Sequence, residues 1–448
     1  MIGIYMFFTA LIMLLAGFPV AFTFGGVALV FGIYSEGFAN GMEDGFIEHF
    51  FYGLELFDMM PFRIYSIMEN TILMAIPLFI FMGIILQKTR LAEQLLESMG
   101  MLFGSVRGGL AISTILVGAL LAASTGVVGA SVVAMGVISL PVMLKYGYCK
   151  KLATGTICAS GTLGQIIPPS IVLIILGDVL GVAVGDLFKA AVIPGVVLVG
   201  SYIAYVLIVS YFNKDLAPAI PNEADETKKE EIIRALKAII PPLALIVVVL
   251  GSIFAGIATP TESSAVGGIG AILLSMIYKQ FSFKILKEAS LETVKITAMV
   301  FTILLGATAF SMVFSYTGGE ELVEEFMTSL PGEKWGFLIL VMISILILGF
   351  FIDFVEITFI VIPIIYPIAQ MLNIDMLWFG ILIAMNLQTS FLTPPFGFAL
   401  FYLKGVAPKV VQTMDIYKGV MPFILIQIAI LASIVAFPEF YGFSGFGE

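Results

Sequence analysis

Two short stretches hold the residues best suited to chemistry. Residues 160–170 read SGTLGQIIPPS and residues 386–396 read NLQTSFLTPPF, each inside an apolar run long enough to cross a membrane. A proline has no N–H, and its ring clashes with the carbonyl four residues back. Pro168 and Pro169 therefore deprive the carbonyls near positions 164 and 165 of their helical partners. Freed carbonyls are costly in hydrocarbon unless something satisfies them. A dehydrated Na⁺ does so well, because it prefers hard oxygen ligands. Beyond the break a new helix begins at Ser170, and its N-terminal N–H groups bring partial positive charge to the same place. One break thus offers carbonyls to a cation and helix N-termini to an anion. The second copy adds Thr389, Ser390 and Thr393 ahead of Pro394 and Pro395.

The two breaks are related. Pro168 and Pro394 lie 226 residues apart, and at that offset Pro141 falls on Pro367, so the step from first proline to double proline is the same in both halves. Gly/Pro-interrupted apolar segments at corresponding places in two halves mark a transporter built from internal repeats, with its site at the helix breaks. Upstream of each break lies an apolar stretch, 109–143 or 335–369, too long for one span and interrupted by Gly and polar residues. The first interruption offers Ser124, Thr125 and Gly126; the second offers Gly349, Asp353 and Glu356. Acids at membrane depth are functional by default, which singles out Asp353 and Glu356. Candidate substrate contacts at these tips and breaks are Ser124, Gly126, Ser160, Thr162, Ser170, Asp353 and Thr389. No Lys or Arg lies in either tip or break, so a carboxylate substrate would be met by helix N-termini and bound Na⁺.

The elements that position these residues are membrane spans. Apolar residues make up 60% of the 448 and charged residues 12%, where soluble chains average about a quarter charged. The start MIGIYMFFTALIMLLAGFPVAF lacks a positive n-region and a small-residue cleavage site, and reads as a retained span. Spans are expected near 2–17, 20–34, 70–86, 150–183, 187–212, 239–258, 263–279, 293–316, 376–404 and 415–436. Positive charges set sidedness. Loop 35–60 carries six acids and no Lys or Arg and reads as an outside loop, with His49 solvated within it. Arg107, Lys145, Lys150 and Lys151 put both ends of 109–143 inside, so it enters and returns as a re-entrant hairpin; 335–369 does the same from outside. Segments 89–100 and 318–329 read as interfacial helices before each hairpin. The fold class is an all-α polytopic membrane protein of two inverted repeats, each with a re-entrant helical hairpin and a broken transmembrane helix. The first repeat covers 1–212 (hairpin 109–143, broken helix 150–183). A cytoplasmic linker with a connecting helix covers 213–238, its start read as a solvated connector. The second repeat covers 239–448 (hairpin 335–369, broken helix 376–404).

Smaller features carry less. Cys149 and Cys158 fit no metal-ligand spacing and read as buried thiols. Asp178 reads as solvated at an outer helix end. Nothing basic is clustered enough for nucleic acid. An intramembrane enzyme fails on inventory: one His outside the membrane, no HExxH, and no Ser nucleophile with a base in reach. A channel would need a filter repeated by symmetry, and the two breaks differ in sequence.

Nearly the whole chain resembles the large membrane (M, DctM-like) subunit of tripartite ATP-independent periplasmic, or TRAP, transporters. The resemblance rests on GFPVAF at 17–22, MAIPLFIFMG at 74–83, RGGLA at 107–111, STGVVGASVVAMG at the first tip, ATGTICASGTLGQIIPPS at 153–170, GIATPTESSAV at 256–266 and SFLTPPFGFALF at 390–401. It implies an elevator fold, with a transport domain of hairpins and broken helices moving against a scaffold. It implies Na⁺ as coupling ion at two or more sites, and an organic acid (carboxylate, sialic, keto or aromatic) delivered by a periplasmic substrate-binding protein. A small Q (DctQ-like) membrane subunit and a bacterial inner-membrane location are implied too. Family Na⁺ positions fall on Thr125, Val128, Gly164, Ile167 and Pro169, and on Gly349, Ser390, Thr393 and Phe396. Most act through backbone carbonyls. The family's usual first tip is Ser-Gly-Ser-Ser; here Thr125-Gly126-Val127-Val128 lacks two hydroxyls, so only carbonyl ligation survives at 127–128.

Overall fold

The computed structural model describes residues 1–38, 46–89, 91–125, 128–219 and 228–446. It is helical throughout, with a single isolated bridge between Ile374 and Phe446. Apolar runs become helices here because hydrocarbon demands that backbone groups be satisfied within the segment. The chain begins with α1 (Ile2–Leu15) and α2 (Val20–Ile33), separated by a turn at Gly17, which holds φ +88°. Residues 1–34 are therefore two short helices. Next come α3 (Phe46–Glu55) and α4 (Met60–Glu69). The acidic stretch read as a loop is thus largely helical. His49 is buried rather than solvated, because α3 folds back on α2.

Helices α5 (Ala75–Lys88) and α6 (Leu91–Gly104) lead to a helical hairpin, α7 (Gly109–Thr125) and α8 (Val128–Lys145). Its turn at 126–127, with the Gly126 site expected there, lies outside the described residues. Then follow α9 (Lys150–Thr162), α10 (Ile171–Val179) and the long α11 (Val184–Phe212). The linker's start is not a free connector. Ala217 is buried, and the Leu216 and Ala217 carbonyls accept from Cys149 N and Gly108 N at 2.9 and 3.1 Å. These bonds tie the linker to the starts of α7 and α9, because its Leu and Ala are apolar enough to pack.

The chain continues with α12 (Lys228–Phe254), α13 (Pro260–Ile277), α14 (Phe283–Tyr316), α15 (Gly319–Thr328), α16 (Lys334–Leu348), the single turn α17 (Phe354–Glu356), α18 (Ile362–Met371), α19 (Met376–Leu392), α20 (Phe398–Val406) and α21 (Thr413–Ala436). Starts are written in sequence. Thr259 and Glu262 form a capping box on α13, Ser282 caps α14, and Asp375 caps α19. Seven helices among the described residues are long and apolar enough to span a membrane, and shorter apolar helices flank the breaks and turns.

The halves interlock. Helix α2 packs on α14, and α13 packs on α5. Small residues permit the close approach that holds helices together where solvent gives no hydrophobic drive. A Cβ on Gly306 of α14 would sit 2.5 Å from Ala21 O of α2, and one on Gly155 of α9 would sit 2.1 Å from Gly419 O of α21. Outward faces of α1, α4, α11, α12 and α13 expose large apolar side chains such as Phe62, Val196, Val247 and Ile269, the surface a bilayer would cover.

The candidate ion and substrate site at the two helix breaks

In the first break α9 tightens into a 3₁₀ turn at Leu163–Gln165, and α10 resumes at Ile171. The Pro168–Pro169 peptide is cis, as is Pro394–Pro395. Gly164 O receives no backbone hydrogen bond, since the residue four ahead is Pro168 and Ile167 N donates to Leu163 O at 2.9 Å. Gln165 O behaves otherwise. The Ser170 hydroxyl donates to it at 2.7 Å while accepting from Leu173 N at 3.4 Å. Both carbonyls lose their helical partners as expected, and Gln165 O takes a side-chain hydroxyl in place of one. The hydroxyl of Ser170, the expected substrate contact, also serves as cap and clamp, because a serine at that position can partner both groups. Ile167 is half-buried, and Pro168 and Pro169 are buried.

The second break is more open: Pro395 and Phe396 are exposed, Phe396 to 45%. Phe391 O faces Pro394 and Pro395 three and four residues on and has no N–H to accept. Ser390 O takes Thr393 N at 3.1 Å, and Thr393 O takes Gly397 N at 3.0 Å; each keeps a second lone pair. The hydroxyls are arranged alike. Thr389 donates to Met385 O at 2.8 Å, Ser390 to Leu387 O at 2.7 Å, and Thr393 to Thr389 O at 2.7 Å. In the first break Ser160 donates to Ile157 O at 3.0 Å and Thr162 to Ala159 O at 2.9 Å. With their protons directed backward, these hydroxyls present lone pairs. Such oxygens suit a hard cation and suit an anion poorly.

The hairpins reach the breaks. Gly349 ends α16, and a Cβ there would lie 2.2 Å from Ser390 Oγ. Its carbonyl receives no backbone hydrogen bond among the described residues. On the first hairpin, Gly118 of α7 approaches Ser160, with a Cβ at 2.6 Å from Ser160 Cβ. At the sequence offset of 226 Ser160 falls on Asn386, whose amide donates to Met342 O of α16 at 2.6 Å. The backbones of Ser124 and Thr125 end α7, and Val128 begins α8. The first 3₁₀ turn packs against α7, α8 and α19, so both breaks share one neighbourhood. The oxygen-only, cation-facing donor set fits Na⁺ at Gly164, Gly349, Ser390 and Thr393.

Asp353 caps α17, accepting from Phe354 N at 2.7 Å. Glu356 is buried, and its Oε2 has no hydrogen-bond partner. The Tyr402 ring on α20 lies 2.9 Å from where a Cβ on Gly129 of α8 would be, so α20 packs closely on the first hairpin. Asp178 is half-buried rather than freely solvated, and Asn70 donates to its Oδ1 at 2.6 Å. Cys158 is buried, donating toward Ala399 O at 3.7 Å, whereas Cys149 is half-buried.

Sequence reasoning missed Gln165 and Gln388. Both are fully buried beside the breaks, with no hydrogen-bond partner on either amide atom. Each such atom costs about 1–3 kcal/mol unless a ligand or water meets it. The signal was present, an amide inside an otherwise small or apolar break.

A helical membrane protein with interrupted helices facing paired hairpins has the architecture of a secondary transporter. The family model described as "Tripartite ATP-independent periplasmic transporter, DctM component" matches residues 7–440, and the chain belongs to that family. It is 31% identical to the C4-dicarboxylate TRAP transporter large permease protein DctM of Pseudomonas aeruginosa, covering 85% of this chain and 87% of that one. It is 29% identical to the isethionate TRAP transporter permease protein DctMQ of Oleidesulfovibrio alaskensis, covering 82% of this chain and 58% of the relative. Its fold is like that of Neisseria gonorrhoeae MtrF, described in a class of antimetabolite efflux pumps. The TM-score is 0.58 at 12% identity, over 93% of this chain and 95% of MtrF. The chain is therefore a multi-pass membrane permease subunit of a bacterial transporter family.

Proposed function

We propose that the chain is the large permease subunit of a Na⁺-driven importer of an organic acid, working in the bacterial inner membrane by elevator-type alternating access. The observation that carries this is the donor set at the two breaks, where freed carbonyls meet hydroxyls whose protons point away. Na⁺ held there supplies positive charge beside the N-termini of α10 and α20, which together would balance a carboxylate or sulfonate without any basic side chain. Similarity to permeases named for C4-dicarboxylate and isethionate supports the organic-acid class. Similarity to a relative named as a joined DctMQ supports a small Q subunit as partner, and a periplasmic binding protein completes the tripartite system.

In this reading two inverted repeats carry the hairpins and broken helices as the moving unit, and α1, α2, α12 and α13 belong to the scaffold. Candidate substrate contacts are Ser124, Gly126, Ser160, Thr162, Ser170, Asp353 and Thr389, with Gln165 and Gln388 added. The test is reconstitution in proteoliposomes with the small subunit and the binding protein loaded with its co-purified acid. Uptake should require all three components and an inward Na⁺ gradient. Ion conductance without the loaded binding protein would refute the reading.

A further inference from the structure

Two apolar crevices open at comparable places in the halves. One, about 490 Å³, lies between α7, α11 and α12, and Ile167 and Pro168 of the first break line its inner wall. The other, about 440 Å³, lies between α1, α15, α16 and α18. Each runs between the first helix of one half, α12 or α1, and the first hairpin helix of the other, α7 or α16.

Neither crevice is packed core. In the first, Val192 and Val196 are 38% and 66% exposed. Gly200, also on its wall, has open space where a Cβ would stand. A void there forfeits dispersion contacts, and an apolar wall offers water no partner. Hydrocarbon fills it instead. Size selects the occupant, because a helix about 10 Å across occupies roughly 120 Å³ per residue of rise. The first crevice therefore holds about one helical turn and no spanning helix, whereas an acyl chain is thin enough to enter.

Charge selects the headgroup. Arg107 precedes α7 by two residues, and Lys237 lies on α12 six residues before the lining Leu243, roughly 9 Å along the axis. Both cations are exposed, and neither makes an ion pair among the described residues. We propose that this crevice binds an anionic phospholipid, its acyl chain against Ile167 and Pro168 and its phosphate met by Arg107 and Lys237. The acyl chain then touches the first break. The site stands whether or not Na⁺ drives transport.

The test uses the full chain reconstituted in vesicles of phosphatidylglycerol and phosphatidylethanolamine, then extracted and weighed intact by native mass spectrometry. Wild type should retain phosphatidylglycerol in preference to phosphatidylethanolamine. Gly200→Phe, which fills the crevice, and the paired Arg107→Gln, Lys237→Gln variant, which changes only surface charge, should each lower that retention by about fivefold or more. Equal retention by wild type and the charge variant would overturn the proposal. So would displacement of the phosphatidylglycerol when the small subunit is added, because the crevice would then belong to that subunit.

Discussion

Gly349 and Ser390 meet backbone to side chain: a Cβ on Gly349 would lie 2.2 Å from Ser390 Oγ. This contact joins the second hairpin turn to the second broken helix and sets the spacing of two candidate Na⁺ ligands. Gly349→Ala should therefore force them apart. A Na⁺ half-saturation raised by tenfold or more is expected, since about 1.4 kcal/mol of lost ligation gives a factor of ten. Ser390→Gly placed in the same chain should recover part of the loss. Unchanged Na⁺ dependence in Gly349→Ala would remove this pair from the ion site.

Gly164 O is free because position 168 has no N–H. Pro168→Ala supplies a donor that competes with a cation for that oxygen. Na⁺ affinity should fall on the order of tenfold while membrane insertion persists. The measurement is a Na⁺ titration of uptake, checked against the amount of inserted protein.

Asp353 caps α17, four residues past Gly349. Asn caps about as well as Asp, so Asp353→Asn keeps the turn and removes only the charge. Uptake should drop severely with little change in thermal stability. Wild-type uptake would return Asp353 to a purely capping role.

Tyr202 accepts from the Gln427 amide at 2.8 Å in the buried seam between α11 and α21. Tyr202→Phe strands the Gln427 amide, which should cost about 1–3 kcal/mol. A lowered melting temperature of the detergent-solubilised chain checks this. No change would mean that water already satisfies the seam.

At the start of α13 the backbone N–H and hydroxyl of Thr259 hold the exposed Glu262 carboxyl below its usual range. A depressed value means the capping box is intact at neutral pH. Its contribution is lost as pH falls through the ordinary carboxylate range toward the folded-state value. Glu262→Gln should flatten the acid side of a melting-temperature profile between about pH 5 and 3. A profile identical to wild type would mean that the box adds nothing.

Much of this was legible in the chain. Proline pairs mark the breaks because a missing N–H acts locally, and Gly17 marks its turn for the same local reason. The helices before each hairpin were readable from their alternating charged and apolar residues. Contacts between distant segments were not. The sequence does not say that Ser170 would close on Gln165 O, nor that Gly349 would touch Ser390, because both depend on how the break folds back. His49 and residues 46–60 were misread as part of an open loop, since clustered acids masked an aromatic helical pattern that packs on α2. The linker start was misread likewise, its Leu216 and Ala217 outweighed by the charges beyond them.

The most direct test of the central claim is equilibrium binding of radioactive Na⁺ to the purified chain, measured against choline. The account predicts at least two Na⁺ per chain, with Gly349→Ala and Pro168→Ala each weakening a different one. Absence of Na⁺ binding above the choline background, or full binding retained in both variants, would contradict it.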